Sequence, residues 1–461
     1  MTKFKITRKQ VTYAIVALFV YPMVSCNEDT VTKVAYDPSK PVVCERFSPE
    51  GGPISTQVIL TGTNFGSDPK LTKCFFNEKQ APVIGVNDEH MLVLAPRLPG
   101  ENVVIKVMVG SVNGTDTVYQ ENTFEGNFAY EVRTNISTIC GGDASATENS
   151  APNKGDIVSL AEAQFSNSMD NCIEVDKNKN IFFGFGERRY CANLAADALK
   201  NIDALGTFLT VPEVIYDKVR DRIYHTQANI GNNEYWWYDV NNDFVQMGKG
   251  EISWDDRDFI PEGMASWAAR RTAAMNPVDN KFYCRSYGGY LERWDPETGL
   301  GENLTPIYGG VGIGSKSGST FGIVFLPSQP NVMYFSNDEL DCIFKLDLNT
   351  GISSIFAGQN NVSGYLDGPV GQAQFNSPHQ MCVDSEENIY VADTNNHCIR
   401  KINTKTGYVS TVAGIPQSAG YINGTSESAK FSSPVGIAID TDDIIYVGDS
   451  GNHAIRRVAI E

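Results

Sequence analysis

Two stretches near the end of the chain combine residue types that acid–base and metal chemistry use. DTNNHCIRKI occupies residues 393–402 and DSGNHAIRRV occupies residues 449–458, each with an acid, an Asn, a His and an Arg. A carboxylate beside a His can hold a metal ion or move a proton. One catalytic centre needs one set of ligands, however, so a set that recurs is more simply structural. We interpret both stretches as turns in which Asp and Asn satisfy backbone donors, His bonds within the turn, and Arg pairs with acids on neighbouring strands.

The repetition extends well beyond these stretches. Nine positions between Gly364 and Arg400 recur 56 residues later, between Gly420 and Arg456. Earlier and weaker copies are centred on Tyr334, Tyr283, Tyr224 and Phe182. Six units of short β-type runs are typical of propeller blades with four strands each. The DxxNHxIRxI pattern after an IYVAD-type strand resembles the NHL repeat, which implies an all-β, six-bladed NHL-type β-propeller over residues 132–461.

The last unit lacks an outer strand. It stops at RRVAIE, whereas its predecessor continues with VSTVAG at residues 409–414. ISTICG at residues 136–141 resembles that strand at nearly every position. We therefore predict that this N-terminal strand completes the last blade and closes the ring, which removes exposed sheet edges.

Residues 41–131 show a different sequence pattern, with six or seven short β-type runs broken by Gly, Pro and Asn. This spacing indicates an immunoglobulin-like sandwich. FSPEGGP, ILTGTNFG, LAPRLPG and FAY, which begin at residues 47, 59, 94 and 128, resemble an IPT/TIG domain. In that family such domains are often spacers between an anchor and a working domain. Cys44 and Cys74 lie at strand positions of this segment, and the sequence leaves open whether they form a disulfide.

The N-terminus has the features of an export signal. Residues 1–25 combine a basic start with the apolar run VTYAIVALFV, too short to span a bilayer comfortably. PMVSC, ending at Cys26, resembles the lipobox of bacterial lipoproteins, which implies that Cys26 is acylated and that residues 26–40 form a tether. Glu28 and Asp29 resemble the surface-export signal of Bacteroidota lipoproteins. The expected location is the outer membrane, lipid-anchored and facing the cell exterior.

Composition excludes some functions. The formal net charge is −18, which makes wrapping a nucleic acid unfavourable. No GxSxG, HExxH, P-loop or Rossmann pattern occurs in a supporting context. Of five His residues, two belong to the repeated turns. We expect no catalytic residue, no metal and no cofactor, and non-catalytic binding is favoured over catalysis.

Aromatic residues in loops are the candidates for sugar binding, because the apolar face of a sugar stacks on a ring while polar groups bond its hydroxyls. Trp236, Trp237 and Trp294 align with a blade strand that packs on both faces, so we expect them in the core. The long insertion at residues 248–271 is better placed, since propeller ligands usually bind where loops gather. The glycan-binding candidates are Trp254, Trp267, Tyr287, Asp255, Asp256 and Arg257. Packing of this loop against the scaffold remains the alternative.

The combination of anchor, spacer and propeller resembles the surface glycan-binding proteins of Bacteroidota polysaccharide-utilisation systems. That resemblance implies non-catalytic capture of an oligosaccharide or polysaccharide for a TonB-dependent importer, with an outer-membrane transporter complex as a further partner. Fold alone does not determine function. Two alternatives stay open: a propeller hydrolase or lyase with a metal in the central channel, and a scaffold that docks a partner protein.

Overall fold

The structure is a computed structural model, which describes residues 35–97, 100, 102–113, 115–142, 152, 156–185, 188–202, 214–226, 234–241, 245–254, 270–286, 291–304, 309–310 and 322–461. The chain divides into two compact units between Val132 and Arg133. Within the described ranges, all regular elements are β-strands except the two 3-10 turns Thr394–Asn396 and Ser450–Asn452. None of the helices in these ranges is long and apolar enough to cross a membrane.

The first unit is a sandwich of two antiparallel sheets, with strand orders β1–β3–β7–β6 and β5–β4–β8–β9, while β10 and β2 form a short parallel pair. The strands are β1 (Val43–Ser48), β2 (Gly51–Gly52), β3 (Gln57–Thr63), β4 (Thr72–Phe76), β5 (Lys79–Ala81), β6 (Val83–Val86), β7 (His90–Leu94), β8 (Ile105–Asn113), β9 (Asp116–Thr123) and β10 (Ala129–Tyr130).

Alternation along the strands explains this sandwich. In β3, Val58 and Leu60 are fully buried while Gln57 and Ile59 are exposed, because successive side chains point to opposite faces of a sheet. The two inner faces share one apolar core. Cys44 and Cys74 are free thiols in this unit. Burial raises the pKa of the Cys44 thiol to about 12, which disfavours the reactive thiolate.

The segment before β1 is attached to the sandwich through Asn64. The Asn64 side chain donates to the carbonyls of Asp37 at 3.0 Å and Lys40 at 2.9 Å, and accepts from the Asp37 backbone at 2.9 Å. Residues 35–40, the described part of the expected tether, are therefore bound to the first unit.

The described part of the second unit contains six sheets, in the orders β12–β16–β15–β14–β13, β17–β18–β19–β20, β21–β25–β24–β23–β22, β26–β30–β29–β28–β27, β31–β35–β34–β33–β32 and β36–β11–β39–β38–β37. The strands are β11 (Thr134–Gly141), β12 (Ile157–Val158), β13 (Met169–Val175), β14 (Asn180–Phe185), β15 (Arg188–Asn193), β16 (Ala198–Asn201), β17 (Val214–Asp217), β18 (Arg222–Thr226), β19 (Glu234–Asp239), β20 (Val245–Glu251), β21 (Ser253–Trp254), β22 (Arg270–Met275), β23 (Phe282–Ser286), β24 (Leu291–Trp294), β25 (Leu300–Asn303), β26 (Gly309–Gly310), β27 (Ile323–Leu326), β28 (Gln329–Asn337), β29 (Cys342–Asp347), β30 (Ile352–Gly358), β31 (Gly368–Pro369), β32 (Pro378–Val383), β33 (Ile389–Asp393), β34 (Cys398–Asn403), β35 (Tyr408–Ala413), β36 (Gly424–Thr425), β37 (Pro434–Ile439), β38 (Ile445–Asp449) and β39 (Ala454–Ile460).

These sheets pack face to face as in a β-propeller. We call β13, β17, β22, β27, β32 and β37 the innermost strands; each contacts the innermost strand of the next sheet, and β37 contacts β13. In β14, β33 and β38 every residue is buried, because such strands have neighbouring sheets on both faces. This double packing accounts for the nearly continuous apolar runs in the sequence.

The N-terminal strand of the second unit pairs with the last strand of the chain. In the antiparallel register of β11 and β39, Thr134 lies opposite Ile460 and Ile136 lies opposite Val458. Ile136 is only 1% exposed and packs in the core beside Val458.

Candidate functional site

The first repeated signature forms a buried hydrogen-bonded network around Asp393. Its carboxylate accepts from the Asn376 backbone at 2.8 Å, from Asn396 Nδ2 at 2.9 Å and from Arg400 Nη1 at 2.7 Å. Burial raises the pKa of the Asp393 carboxyl, and the Arg400 charge opposes that rise. Three donors from the protein hold this carboxylate, which is the arrangement expected of a structural acid.

Arg400 is equally occupied. Its guanidinium donates to Asp367 Oδ1 at 2.7 Å and to the carbonyls of Leu366 at 2.8 Å and Gln374 at 2.9 Å. It lies 4.9 Å from the Tyr365 ring centroid and 5.1 Å from that of Phe375. The prediction that this Arg pairs with acids is confirmed, and its surroundings are those of a structural cation.

The second signature repeats this arrangement with one change. Asp449 accepts from Asn452 Nδ2 at 2.8 Å and from Arg456 Nη1 at 2.7 Å. At the position equivalent to Asp367 stands Asn423, whose Oδ1 accepts from Arg456 Nη2 at 2.8 Å. Arg456 thus has one anionic partner where Arg400 has two, and the local geometry is kept.

Each His bonds within its own turn through its backbone, because the His397 N–H donates to the Thr394 carbonyl at 3.2 Å and the His453 N–H donates to the Ser450 carbonyl at 3.1 Å. The side chains, by contrast, bond outside the turn. His397 Nδ1 accepts from the backbone N–H of Ser433, just before β37, at 3.0 Å. His453 Nδ1 lies 3.0 Å from the carbonyl oxygen of Phe165, which precedes β13. Both residues have left-handed backbones, with φ of 56° and 51°, and both side chains bond to the segment before the innermost strand of the next sheet. The two His residues therefore connect neighbouring sheets.

The aromatic cluster expected in the core is there. Trp294 is completely buried, and its ring lies 4.7 Å from Phe282 and 4.9 Å from Tyr235. Trp236 is 5% exposed. Trp237 is half-buried against Tyr235, with ring centroids 5.6 Å apart. Trp236 and Trp294 lie in the cores between sheets, and Trp237 packs against the core that contains Trp294.

The described part of the structure contains one of the six predicted glycan-binding residues. This residue is Trp254, whose backbone pairs with Gly301 of β25. Trp254 therefore lies on β21, the outermost strand of its sheet. The other five candidates, Trp267, Tyr287, Asp255, Asp256 and Arg257, lie outside the described residues, as does Cys26. Their roles stay predictions.

Sequence reasoning missed a cavity of about 370 Å³ among the innermost strands. All six innermost strands line it, together with residues just beyond the C-terminal ends of three of them, such as Lys218, Pro277 and Pro327. Its wall is largely apolar, with Val175, Met275, Phe325 and other aliphatic side chains. No local motif marks it, because its residues are spread over more than half of the chain.

The polar residues that line this cavity include Glu174, Lys218 and Gln380. Gln380 Oε1 accepts from the backbone N–H groups of Ile173 and Ile437, both at 3.0 Å, and its Nε2 donates to the Ile173 carbonyl at 2.9 Å. Gln380 therefore links three innermost strands. Gln380 is 5% exposed, and its side-chain amide hydrogen-bonds to backbone groups. It is therefore a structural residue of the cavity.

Glu174 supplies a carboxyl group to the cavity wall. Burial raises the pKa of its carboxyl to about 7, although the Lys218 charge and a hydrogen bond from the Val175 backbone act in the opposite direction. Cys382 lies close enough for Glu174 to raise its thiol pKa further, after burial and Asp384. Over the described ranges, no group of three or more His, Cys, Asp or Glu residues is placed to hold a metal ion.

Comparison with protein families identifies both modules. Residues 41–125 match the IPT/TIG domain, and residues 375–402 and 431–457 match the NHL repeat. The chain is therefore an all-β protein that carries an IPT/TIG domain followed by NHL repeats of a β-propeller.

Solved structures from Bacteroides share this fold. A protein of unknown function from Bacteroides thetaiotaomicron has a TM-score of 0.72 and 25% identity, over 93% of this chain and 100% of that chain. An auxiliary nutrient binding protein from Bacteroides ovatus has a TM-score of 0.59 and 21% identity, over 93% and 100% of the two chains. At that identity, the second likeness shows the fold alone.

The curated relatives match only in part. Protein SUPPRESSOR OF QUENCHING 1, chloroplastic, of Arabidopsis thaliana is 29% identical over 40% of this chain and 19% of its own length. NHL repeat-containing protein 2 of Gallus gallus is 35% identical over 22% of this chain and 15% of its own length. The chain thus spans less than a fifth of the length of these relatives.

Proposed function

We propose that this protein binds an oligosaccharide or polysaccharide without chemistry and holds it for uptake by a TonB-dependent system. The observation that carries the proposal is the fold, shared over 93% of the chain with an auxiliary nutrient binding protein. The buried signatures support it, because their acids and arginines already bond one another and the backbone. Capture therefore relies on loops and surfaces.

The proposed architecture is a six-bladed propeller closed by β11, with an IPT/TIG spacer before it. Pairing of β11 with β39, and contact of β13 with β37, support the closure. We propose residues 1–25 as signal peptide, 26–40 as tether, 41–131 as spacer and 132–461 as propeller. Acylated Cys26 would hold the protein on the outer face of the outer membrane, beside a transporter.

The proposed glycan site is the long insertion before β22, with Trp254 and Trp267 as stacking platforms, and Tyr287, in a strand-connecting turn, is a further candidate. Asp255, Asp256 and Arg257 would bond sugar hydroxyls. Buried aromatic residues such as Trp294 pack in the core and cannot stack on a sugar. Aromatic residues in loops are therefore the candidates for stacking.

Affinity gel electrophoresis of residues 27–461 against plant, host and microbial polysaccharides tests the proposal. One glycan is expected to retard the protein, and Trp254→Ala or Trp267→Ala is expected to abolish the retardation. Tyr408→Ala is the matched control, because Tyr408 is a half-exposed aromatic residue on the outer strand β35 and lies outside the proposed site.

Each alternative has its own outcome in the same experiment. Retardation that survives both Trp variants would move the glycan site elsewhere on the protein. Absence of retardation by every glycan would overturn the proposal and favour a protein-docking scaffold. Stoichiometric metal in the purified protein, with hydrolysis or elimination of a tested glycan, would favour the enzyme.

A further inference from the structure

The cavity among the innermost strands lies at their C-terminal ends. Residues 437–439 end β37, residues 273–275 end β22, and Lys218 and Pro327 follow β17 and β27. The insertion that holds the proposed glycan site precedes β22 and joins it at the opposite end, at Arg270.

Gln380 bounds the cavity on its inner side. It is the lining residue closest to the N-terminal end of β32, and its amide connects β32 with β13 and β37. The cavity extends from Gln380 toward the C-terminal ends of the innermost strands. Its volume of about 370 Å³ is within the size range of small-molecule pockets. The cavity is a pocket with Gln380 at its inner end and a mostly apolar wall that includes Glu174.

The negative charge of an ionised Glu174 carboxylate is only partly balanced by the positive charge of Lys218. Among the described residues no side chain donates a hydrogen bond to the Glu174 carboxyl, which receives the Val175 N–H and the field of Lys218. Lys218 itself is exposed, so water screens its charge. A carboxyl among apolar walls without a bound cation is costly to ionise. A ligand that brought a cation next to Glu174 would remove this cost.

We propose that the pocket binds a small organic ammonium ion with an apolar body, whose ammonium group pairs with the Glu174 carboxylate and whose body packs on Val175, Met275 and Phe325. Perturbed acids in a cleft are a general mark of binding sites. The apolar wall provides the contact area, and the acid provides selectivity for a cation over a neutral molecule of the same shape.

Lys218 has a definite role in this site. Its ammonium group competes for the same carboxylate from the mouth of the pocket, so it weakens the binding of a second cation by repulsion. Removing the Lys218 charge should therefore tighten the binding of an ammonium ligand. A misfolded variant would bind the ligand more weakly, so tighter binding cannot result from a folding defect.

The test uses cyclohexylmethylamine as the probe, measured by isothermal titration calorimetry on residues 27–461, with cyclohexylmethanol as the neutral analogue of the same shape. The amine is expected to bind at least about tenfold more tightly than the alcohol. Glu174→Gln should weaken the amine about tenfold or more, and Lys218→Met should tighten it about threefold. Glu386→Gln and Lys405→Met, both at exposed turn positions, should leave it unchanged.

The affinity for the amine should also rise between pH 6 and pH 8, because the pKa of Glu174 is raised to about 7 and the carboxylate forms over this interval. Lys218 and the Cys382 thiol face Glu174, with Asp384 and Asp443 beside Cys382. Equal affinities for amine and alcohol, no binding of the amine by the unmodified protein, or an unchanged affinity in Glu174→Gln would each overturn the proposal. Glycan retardation is measured separately, so failure here leaves the proposed function standing.

Discussion

Gln380 and Ile173 belong to sheets that are not neighbours, yet two hydrogen bonds join them across the innermost strands, at 3.0 Å to Gln380 Oε1 and 2.9 Å from its Nε2. The same Oε1 accepts from Ile437 in the sheet between them. One side-chain amide therefore substitutes for backbone pairing among three strands of different sheets, 207 residues apart in sequence at the widest.

Gln380→Leu should lower the free energy of unfolding of the second unit by about 2–5 kcal/mol, because it leaves two buried N–H groups and one carbonyl without partners. Chemical denaturation followed by Trp fluorescence measures this cleanly, since all five Trp residues lie in the second unit. Gln372→Leu, at an exposed position, is the control. Equal stability of the two variants would contradict the assigned role of Gln380.

The two repeated signatures offer a matched comparison. Asp393→Asn should cost about 3–5 kcal/mol, because it leaves the buried Arg400 charge without its fully buried partner. Asp367→Asn should cost about 1 kcal/mol or less, since Asn423 at the equivalent position already accepts from Arg456. Denaturation midpoints of both variants decide the matter, and similar losses would show that Asp367 is equally essential.

His397 should make the stability depend on pH. Burial lowers its pKa, and its Nδ1 must be unprotonated to accept from Ser433. The unfolded chain therefore takes up the proton first, so the stabilisation is complete above the usual His pKa and is lost as the pH falls through the lower value of the folded protein. The stability advantage over His397→Asn, which tolerates the left-handed backbone, should shrink between pH 7 and pH 5. His90→Asn, in the first unit, should leave this profile unchanged.

Substitution of one buried residue, Ile136, tests whether β11 is needed to close the propeller. Ile136→Asp should destabilise the second unit by about 3–5 kcal/mol, because a carboxylate replaces an aliphatic group that is 1% exposed. Ile157→Asp, on the outer strand β12 and 63% exposed, is expected to change stability by less than about 0.5 kcal/mol. A stable Ile136→Asp variant would mean that β11 is dispensable for the ring.

The repeated units, the sandwich and the core positions of Trp294 and Trp236 were predictable from sequence, because alternation and turn residues are determined by near neighbours in the chain. The partners of the two His side chains were not predicted, for a related reason. The left-handed backbone at His397 directs its side chain to Ser433, 36 residues away, and a local pattern carries no information about that partner.

The strands, the turns that join them and the division into a sandwich and a repeat region could be predicted from the amino-acid sequence, since each depends on interactions within a few residues. The contacts of Gln380 with Ile173 and Ile437, and the cavity that Glu174 shares with Lys218 and Cys382, became visible in the folded chain alone. Those encounters depend on how separate sheets pack around a common centre, which places side chains from distant parts of the chain against one another.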